Sequence, residues 1–214
     1  DSGQNVFMLT SFNPGSGKSF LAMNIAMSFA IKKKRILVID GDLRHGSTSS
    51  YVDSPKTGLS DYLGNRVSDW KEIIVKDEKY DNLHIIPIGT VPQNPTELLE
   101  DGKLATLIEV LRSEYDYIFI DSPPIDIVAD AQIIEKLADR TVFVVRSGLL
   151  DRSMLPELEN IYQEKRFKNL SVILNGTESA GGRYGYRYGY RNGYSSYYGN
   201  KGKMGGVNGW SSSD

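Results

Sequence analysis

Residues 12–19, with the sequence FNPGSGKS, constrain the fold of this chain more than any other segment. They follow an apolar run at residues 6–9 and precede a segment, residues 20–27, that is rich in apolar side chains and reads as a helix. A glycine-rich turn between a strand and a helix directs backbone amides and the positive end of the helix dipole toward phosphate groups. The segment therefore predicts a phosphate-binding loop.

The residue types within the loop predict individual roles. Lys18 is expected to reach the β- and γ-phosphates of a nucleotide, and the hydroxyl of Ser19 is expected to bind Mg²⁺. One position departs from the usual pattern, because Phe12 stands where the first glycine is normally found. A chance glycine turn before a helix is the alternative, but the second and third glycines, the lysine and the serine are all correctly spaced, which favours the loop. We expect nucleotide contacts from the whole segment, namely Asn13, Pro14, Gly15, Ser16, Gly17, Lys18, Ser19 and Phe20.

Composition divides the chain into two regions. With 214 residues, of which 40% are hydrophobic and 24% charged, the chain has the size and character of a soluble globular domain. Residues 1–175 are patterned, whereas residues 176–214 are rich in Gly, Tyr, Ser and Asn and have almost no aliphatic side chains. We therefore predict a folded domain over residues 1–175 and a flexible tail over residues 176–214.

Charge is also unevenly divided between these regions. The tail has five basic and two acidic residues, which gives +3, so the formal net charge of −2 leaves −5 for residues 1–175. An acidic domain argues against nucleic acid as its partner. Because the chain has no cysteine, disulfides and thiolate metal sites are excluded.

Apolar runs alternate with helical patterns along residues 1–175. Continuous hydrophobic runs are typical of parallel strands buried on both faces, and after residues 6–9 they recur at residues 36–39, 83–86, 117–120, 141–145 and 171–174. Helical patterns occur near residues 19–33, 95–114, 129–138 and 153–166. This alternation predicts an α/β fold with a mostly parallel sheet and helices on both faces, whose ligand lies beyond the C-terminal ends of the strands.

Aspartates follow two of the predicted strands. Asp40 and Asp42 come directly after the run at residues 36–39, and Asp121 follows the run at residues 117–120. Mg²⁺ takes one or two carboxylates together with phosphate oxygens, so three aspartates near the loop suit a magnesium site with one carboxylate left as a base or orienting group. The alternative is that each aspartate caps a loop or a helix.

The tail contains a cluster of seven tyrosines interleaved with glycine and arginine. Such a segment has no aliphatic partners for a core and is predicted to be solvated. It can serve as a chain of phosphate acceptors, or as a low-complexity segment that binds RNA or self-associates by stacking and cation–π contacts. The phosphate-binding loop and the aspartates predicted in the preceding domain favour the acceptor interpretation. The tyrosines are Tyr184, Tyr186, Tyr188, Tyr190, Tyr194, Tyr197 and Tyr198.

Four features together resemble the cytoplasmic catalytic domain of the bacterial tyrosine kinases (BY-kinases) of capsule and exopolysaccharide export. They are the loop at residues 14–19, the Walker A′ sequence DGDLR at residues 40–44, the Walker B sequence ending in DSPP at residues 121–124, and the tyrosine cluster. Further similar segments are residues 58–63, 92–99 and 128–131. The resemblance implies a P-loop NTPase fold of the MinD/ParA-like branch. Partition ATPases of that branch carry a lysine where this chain has Asn13, which argues against their sandwich-dimer mechanism.

The resemblance implies a site for ATP and Mg²⁺. Lys18 would neutralise the γ-phosphate, and Ser19, Asp42 and Asp121 would hold the metal directly or through water. Asp40 would accept the proton of the tyrosine that is phosphorylated, although Asp40 and Asp42 could exchange these roles.

Arg44 and Asn175 can each be interpreted in two ways. Arg44 would support the phosphates or the incoming tyrosine, or it would form a surface salt bridge. Asn175 lies where related folds bind the adenine base, but an asparagine in a turn is an equal alternative.

The resemblance also implies the biological setting. The expected activity is autophosphorylation of the tail in trans between neighbouring subunits, which in this family form a ring through a helix that would precede Asp1. A membrane-anchored activator segment, in the same or a separate polypeptide, and a cognate tyrosine phosphatase are the expected partners, at the cytoplasmic face of the bacterial inner membrane. The alternative function is a nucleotide-switched ATPase binding module of the MinD/ParA kind.

Overall fold

A computed structural model describes residues 3–125 and 129–177 of the chain. Within these residues, seven strands form one sheet with the order β3-β4-β2-β5-β1-β6-β7. All strand pairs are parallel except β3 and β4, which are antiparallel. The strands are β1 (Val6–Thr10), β2 (Ile36–Asp40), β3 (Val75–Lys76), β4 (Leu83–Ile86), β5 (Tyr117–Asp121), β6 (Arg140–Arg146) and β7 (Ser171–Asn175).

Helices cover the two faces of the sheet unequally. One face packs against α1 through small and flexible side chains such as Ala22, Met23 and Ala26. The other face packs against residues of the remaining helices, including Leu59, Leu107 and Ile134. The helices are α1 (Lys18–Ile31), α2 (Leu59–Leu63), α3 (Pro95–Glu100), α4 (Lys103–Glu114), α5 (Asp130–Leu137) and α6 (Leu155–Gln163), with 3₁₀ helices at Ser49–Val52, Trp70–Ile73 and Arg152–Met154.

The predicted strands are confirmed to within a residue at each end, because parallel strands are read directly from continuous apolar runs. The expected burial of the last strand was wrong, since β7 lies at the edge of the sheet with Val172 53% and Leu174 58% exposed. One helix prediction was wrong. The pattern over residues 95–114 is divided into α3 and α4, since Gly102 adopts a left-handed φ of 81° between them. The short helix α2 and the two-residue strand β3 were not predicted.

The three central strands bring the predicted site together. β1 lies between β5 and β6, and β2 lies on the other side of β5. Asp40 and Asp121 are paired in register at the C-terminal ends of β2 and β5, and the phosphate loop leaves the C-terminal end of β1 at Thr10. The candidate site therefore lies beyond the carboxyl ends of a parallel sheet, where α/β folds bind ligands.

Within the described ranges, no helix has both the length and the apolar character needed to cross a membrane. The tyrosine cluster and residue 128 of the segment 128–131 lie outside the described residues.

Candidate active site

The phosphate loop connects β1 to α1 through two glycines with left-handed backbone. Gly15 has a φ of 72° and Gly17 a φ of 94°, conformations that side chains with a Cβ rarely adopt. A Cβ on Gly17 would also lie 2.3 Å from Nδ2 of Asn175. The hydroxyl of Ser16 donates to the carbonyl oxygen of Asn13 at 2.8 Å and closes the turn. The phosphate loop is therefore a tight turn that leads directly into the N-terminus of α1.

Phe12, the departure from the usual loop pattern, is a core residue. Its side chain is 3% exposed and meets the ring of Phe143 edge-on, with the ring centroids 4.8 Å apart. Phe12 is not among the described residues with a positive φ, so glycine is not required at this position. The aromatic side chain instead anchors the start of the loop to the sheet.

Lys18 lies at the first position of α1 and is buried, with 9% of its surface exposed. Its Nζ donates to the hydroxyl of Ser11 at 3.2 Å. Burial lowers the pKa of Lys18, and the negative charges of Asp121 and Asp42 act in the opposite direction. A buried ammonium group beside two carboxylates is arranged to meet additional negative charge, as phosphate binding requires.

Asp40 and Asp121 are completely or almost completely buried, at 0% and 1% exposure. Oδ2 of Asp40 accepts hydrogen bonds from the backbone N–H and the hydroxyl of Ser49, at 2.6 and 2.7 Å. Oδ2 of Asp121 accepts from the hydroxyl of Thr48 at 2.6 Å. In the described part of the chain, Oδ1 of each aspartate is buried without a hydrogen-bond partner.

The electrostatics of this pair follow from its burial. Burial raises the pKa of Asp40 to about 7, and the neighbouring charge of Asp121 adds to the effect while the hydrogen bonds from Ser49 oppose it. Burial likewise raises the pKa of Asp121, against the hydrogen bonds from Ser19 and Thr48 and the positive charge of Lys18. Two carboxyl groups held side by side in a dry environment are a common device of catalytic and cation-binding sites.

The residues present fit a magnesium ion shared with a nucleotide. Ser19 is near enough to Asp121 to lower the pKa of that carboxyl group, and Oδ1 of Asp121 is buried without a hydrogen-bond partner within the described residues. Over the described ranges, there is no cluster of three or more His, Cys, Asp or Glu side chains that forms a metal site by itself. Mg²⁺ is commonly held by one or two carboxylates plus phosphate oxygens and water.

Asp42 is the more accessible of the Walker A′ carboxylates. Its side chain is 11% exposed, and both carboxylate oxygens lie 3.0–3.1 Å from Nδ1 of His45. The backbone N–H groups of Arg44 and His45 point at the same oxygen, Oδ1, at 3.3 Å. Asp42 therefore faces the loop that follows it, whereas Asp40 is held inside the domain.

Arg44 forms the salt bridge that the sequence left open as an alternative. Its Nε lies 3.1 Å from Oδ2 of Asp130, a residue that is 1% exposed at the start of α5. Its Nη2 donates to the hydroxyl of Thr96 on α3 at 3.1 Å, and that hydroxyl donates to Oδ1 of Asp130 at 2.6 Å. The guanidinium thus joins the Walker A′ segment to α3 and α5.

Asn175 lies against the phosphate loop. Its Nδ2 donates to the carbonyl oxygen of Ser16 at 2.9 Å, and its Oδ1 accepts from the backbone N–H of Gly176. Arg146 at the end of β6 supports the same loop through a 2.7 Å bond from Nη1 to the carbonyl oxygen of Gly15. Phe20 is 56% exposed on the first turn of α1. A role of Asn175 or Phe20 in nucleotide binding stays a prediction.

Comparison with known proteins identifies the family. A family model described as an AAA domain matches residues 5–174. The tyrosine-protein kinase CpsD of Streptococcus pneumoniae is 34% identical over 200 residues, which cover 92% of this chain and 84% of that protein. The kinase domain of the Escherichia coli tyrosine kinase ETK has a TM-score of 0.77 at 31% identity, covering 88% of this chain and 74% of that domain. The chain belongs to the bacterial tyrosine-protein kinases.

Membership in the bacterial tyrosine-protein kinase family confirms the resemblance read from the motifs and makes the chain a P-loop tyrosine kinase. The putative tyrosine-protein kinase EpsB of Ralstonia solanacearum is 36% identical over 191 residues, and the match spans only 25% of that protein. The septum site-determining protein MinD of Pyrococcus horikoshii, complexed with Mg-ADP, is 21% identical with a TM-score of 0.65 and shares the fold. This kinase fold implies a nucleotide bound together with a divalent metal.

Within this kinase domain, the structure brings most of the predicted site residues to one place and adds residues that the sequence did not single out. The predicted loop, the three aspartates and Asn175 meet at the C-terminal edge of the sheet. The motif around Arg44 extends instead toward α3 and α5. The added residues are Ser11, Thr48, Ser49, Thr96, Asp130 and Arg146. Of these, Thr96 and Asp130 had a signal in the sequence, since they lie in the segments 92–99 and 128–131 that are similar to the family.

Proposed function

We propose that this kinase transfers the γ-phosphoryl group of ATP, bound with Mg²⁺, to tyrosines in the C-terminal cluster of a neighbouring copy of the chain. One observation carries the proposal. Lys18, Ser19 and the carboxylates of Asp42 and Asp121 converge beside a glycine-rich loop, and they are the residue types that phosphoryl transfer requires.

The loop and its lysine act by holding the phosphates. The N-terminus of α1 and the backbone amides around Gly15 and Gly17, which both have left-handed backbone, would stabilise the negative charge of the phosphates. Lys18 adds a positive charge that is already desolvated, so its attraction for the γ-phosphate is weakly screened. Ser19, Asp42 and Asp121 would hold Mg²⁺, which neutralises charge on the transferring phosphoryl group.

Proton transfer from the acceptor tyrosine requires a base, because a free tyrosine has a pKa of about 10 and is protonated at neutral pH. We assign this role to Asp40, whose pKa of about 7 lies close to the working pH, where a general base is most effective. Asp42 is left for the metal. The two aspartates can exchange roles, and separate substitutions to asparagine distinguish the assignments: loss of the base lowers turnover alone, whereas loss of the metal ligand weakens Mg²⁺-dependent nucleotide binding.

The acceptors proposed are Tyr184, Tyr186, Tyr188, Tyr190, Tyr194, Tyr197 and Tyr198. Glycines between them let each phenol approach the phosphate, and flanking arginines offset part of the charge added by phosphorylation. In the family setting, the kinase works in a ring of subunits at the cytoplasmic face of the inner membrane, with a membrane-anchored activator and a cognate phosphatase. The phosphorylation state of the tail then regulates capsule or exopolysaccharide polymerisation and export.

A phosphotyrosine blot of the full chain incubated with ATP and Mg²⁺ tests the activity. Wild type is expected to gain phosphotyrosine in the tail, located by mass spectrometry, and Lys18→Met is expected to gain none. Mixing wild type with a Lys18→Met chain of different tag size tests transfer in trans, since the inactive chain must then be modified. Wild type that hydrolyses ATP to water without forming phosphotyrosine would instead support the MinD/ParA-like alternative.

A further inference from the structure

Two adjacent hydroxyl residues follow the Walker A′ motif and hold two different aspartates. Thr48 donates to Oδ2 of Asp121 at 2.6 Å, and the hydroxyl of Ser49 donates to Oδ2 of Asp40 at 2.7 Å. The backbone N–H of Ser49 adds a second bond to the same oxygen of Asp40 at 2.6 Å. The two aspartates end neighbouring strands and are paired in register, so one dipeptide bridges both strand ends.

The dipeptide is buried, with Thr48 at 0% and Ser49 at 2% exposure. Burying a hydroxyl group costs free energy unless it finds a partner, and a buried carboxylate costs more. The three hydrogen bonds to these carboxyl groups are short, at 2.6–2.7 Å, and a bond of this kind is stronger when the carboxyl group is ionised. Each hydroxyl is therefore bound to its aspartate firmly enough to fix the orientation of the carboxyl group.

The loop that presents these hydroxyls is itself held to β4 and the segment after it. The hydroxyl of Ser49 accepts the backbone N–H of Ile88 at 2.8 Å. Gly46 has a left-handed φ of 63°, and a Cβ there would lie 2.7 Å from Cδ1 of Ile88. The loop therefore packs closely against Ile88. This contact fixes the backbone of the loop and, with it, the positions of the hydroxyl groups of Thr48 and Ser49.

We propose that Thr48 and Ser49 are positioning residues for phosphoryl transfer. Each hydroxyl holds Oδ2 of its aspartate by a hydrogen bond. The other carboxyl oxygen, Oδ1, is buried without a partner among the described residues, so it is the oxygen that is available to bind the ligand. Thr48 orients Asp121 toward the metal position next to Ser19, and Ser49 orients Asp40 for its role with the acceptor. This inference rests on the proposed function for the identity of the ligands, and it assigns the orientation of both carboxyl groups to one loop.

The test is the Mg²⁺-dependent binding of ADP to the full chain, measured by titration calorimetry without turnover. Thr48→Val keeps the side-chain shape but removes the hydroxyl, and we expect it to weaken Mg–ADP binding by about 10- to 100-fold, the usual effect of losing a partner of a metal ligand. ADP binding in EDTA is expected to stay unchanged, which a general structural defect would not allow. Thr48→Ser restores the hydroxyl and is expected to recover binding.

Thr141→Val is the matched control, because Thr141 is fully buried and its hydroxyl has no partner within the described residues. If Thr48→Val does not fold, as judged by urea unfolding, Thr48→Cys replaces it, since a thiol is a weak donor of similar size. Binding like wild type, an equal loss in EDTA, or failure of Thr48→Ser to recover would each overturn the proposal.

Ser49→Ala tests the second half of the dipeptide. It is expected to lower the rate of tyrosine phosphorylation while Mg–ADP affinity stays at the wild-type value, because Asp40 is not assigned to the metal. A rate equal to wild type would overturn the role of Ser49. The two proposals fail separately: if wild type forms no phosphotyrosine but Thr48→Val still loses Mg²⁺-dependent binding, the kinase proposal falls and the positioning of Asp121 stands.

Discussion

Replacing Asp40 with asparagine should stabilise the ligand-free protein, and the gain should grow as the pH rises. The carboxyl group of Asp40 is fully buried beside Asp121, and its pKa is raised from 3.8 to about 7. Between these two values the native state keeps a proton that the unfolded chain has released. The free energy of unfolding therefore falls as the pH rises through this window, and the loss is complete above the native pKa.

The size of the effect follows from the pKa difference. Each pKa unit corresponds to about 1.4 kcal/mol, so the full loss above pH 7 is about 4 kcal/mol, of which roughly 1.6 kcal/mol is already present at pH 5. Asparagine carries no charge, and its side-chain oxygen can still accept the two hydrogen bonds from Ser49. The stability difference between Asp40→Asn and wild type should thus widen by roughly 2–3 kcal/mol from pH 5 to pH 8.

Urea unfolding of both proteins at pH 5 and pH 8, in EDTA and without nucleotide, measures this difference. Comparing two pH values cancels any change in packing that is independent of charge. Asp151→Asn is a useful control, because hydrogen bonds from Ser153 lower the pKa of that exposed aspartate and its loss should not stabilise the protein at pH 8. A gain for Asp40→Asn that is no larger at pH 8 than at pH 5 would refute the reasoning.

Three further substitutions test other parts of the site. Phe12→Ala should lower the free energy of unfolding by about 3–5 kcal/mol in urea, as expected for an aromatic core residue rather than a loop residue. Gly17→Ala should abolish ADP binding in calorimetry, and adding Asn175→Ala should recover little of it, because the left-handed φ remains after the overlap with Asn175 is relieved. Arg44→Ala should lower the free energy of unfolding by about 1–3 kcal/mol, because it removes a charged partner of the buried Asp130. The loss should depend little on salt concentration. Unchanged stability would show that the ion pair is energetically neutral.

The sequence predicts the sheet and the phosphate loop well because both depend on local patterns. A strand buried on both faces must be apolar throughout, and a loop that binds phosphate must place glycines, a lysine and a serine at fixed spacing. The division of residues 95–114 into two helices was missed because Gly102 is tolerated within a helical pattern at a cost of only about 1 kcal/mol.

The contacts that complete the site depend on distant positions and therefore escape such patterns. Thr48 meets Asp121 across 73 residues, and Arg44 meets Asp130 across 86. Nothing near Thr48 or Ser49 in the chain distinguishes them from the other hydroxyl residues of a polar loop. Their roles become visible only when β2 and β5 lie side by side and both hydroxyls are found buried against carboxyl groups.

The two buried carboxyl groups explain why this edge of the sheet suits a ligand that brings positive charge. Asp40 and Asp121 destabilise the ligand-free fold, since burial opposes the ionisation of both, and the charges of Asp121 and Asp42 add to this effect at Asp40 and Asp121 respectively. A sequence selected for stability alone would place neutral side chains there, and functional sites are the expected exceptions. A cation that binds next to Asp121 offsets the cost at that carboxyl group, and this gain adds to the free energy of binding. The proposed role of Thr48 is to hold Oδ2 of Asp121 by its hydrogen bond, and for this reason the orientation of the carboxyl group and the affinity for the metal should be lost together when Thr48 is replaced.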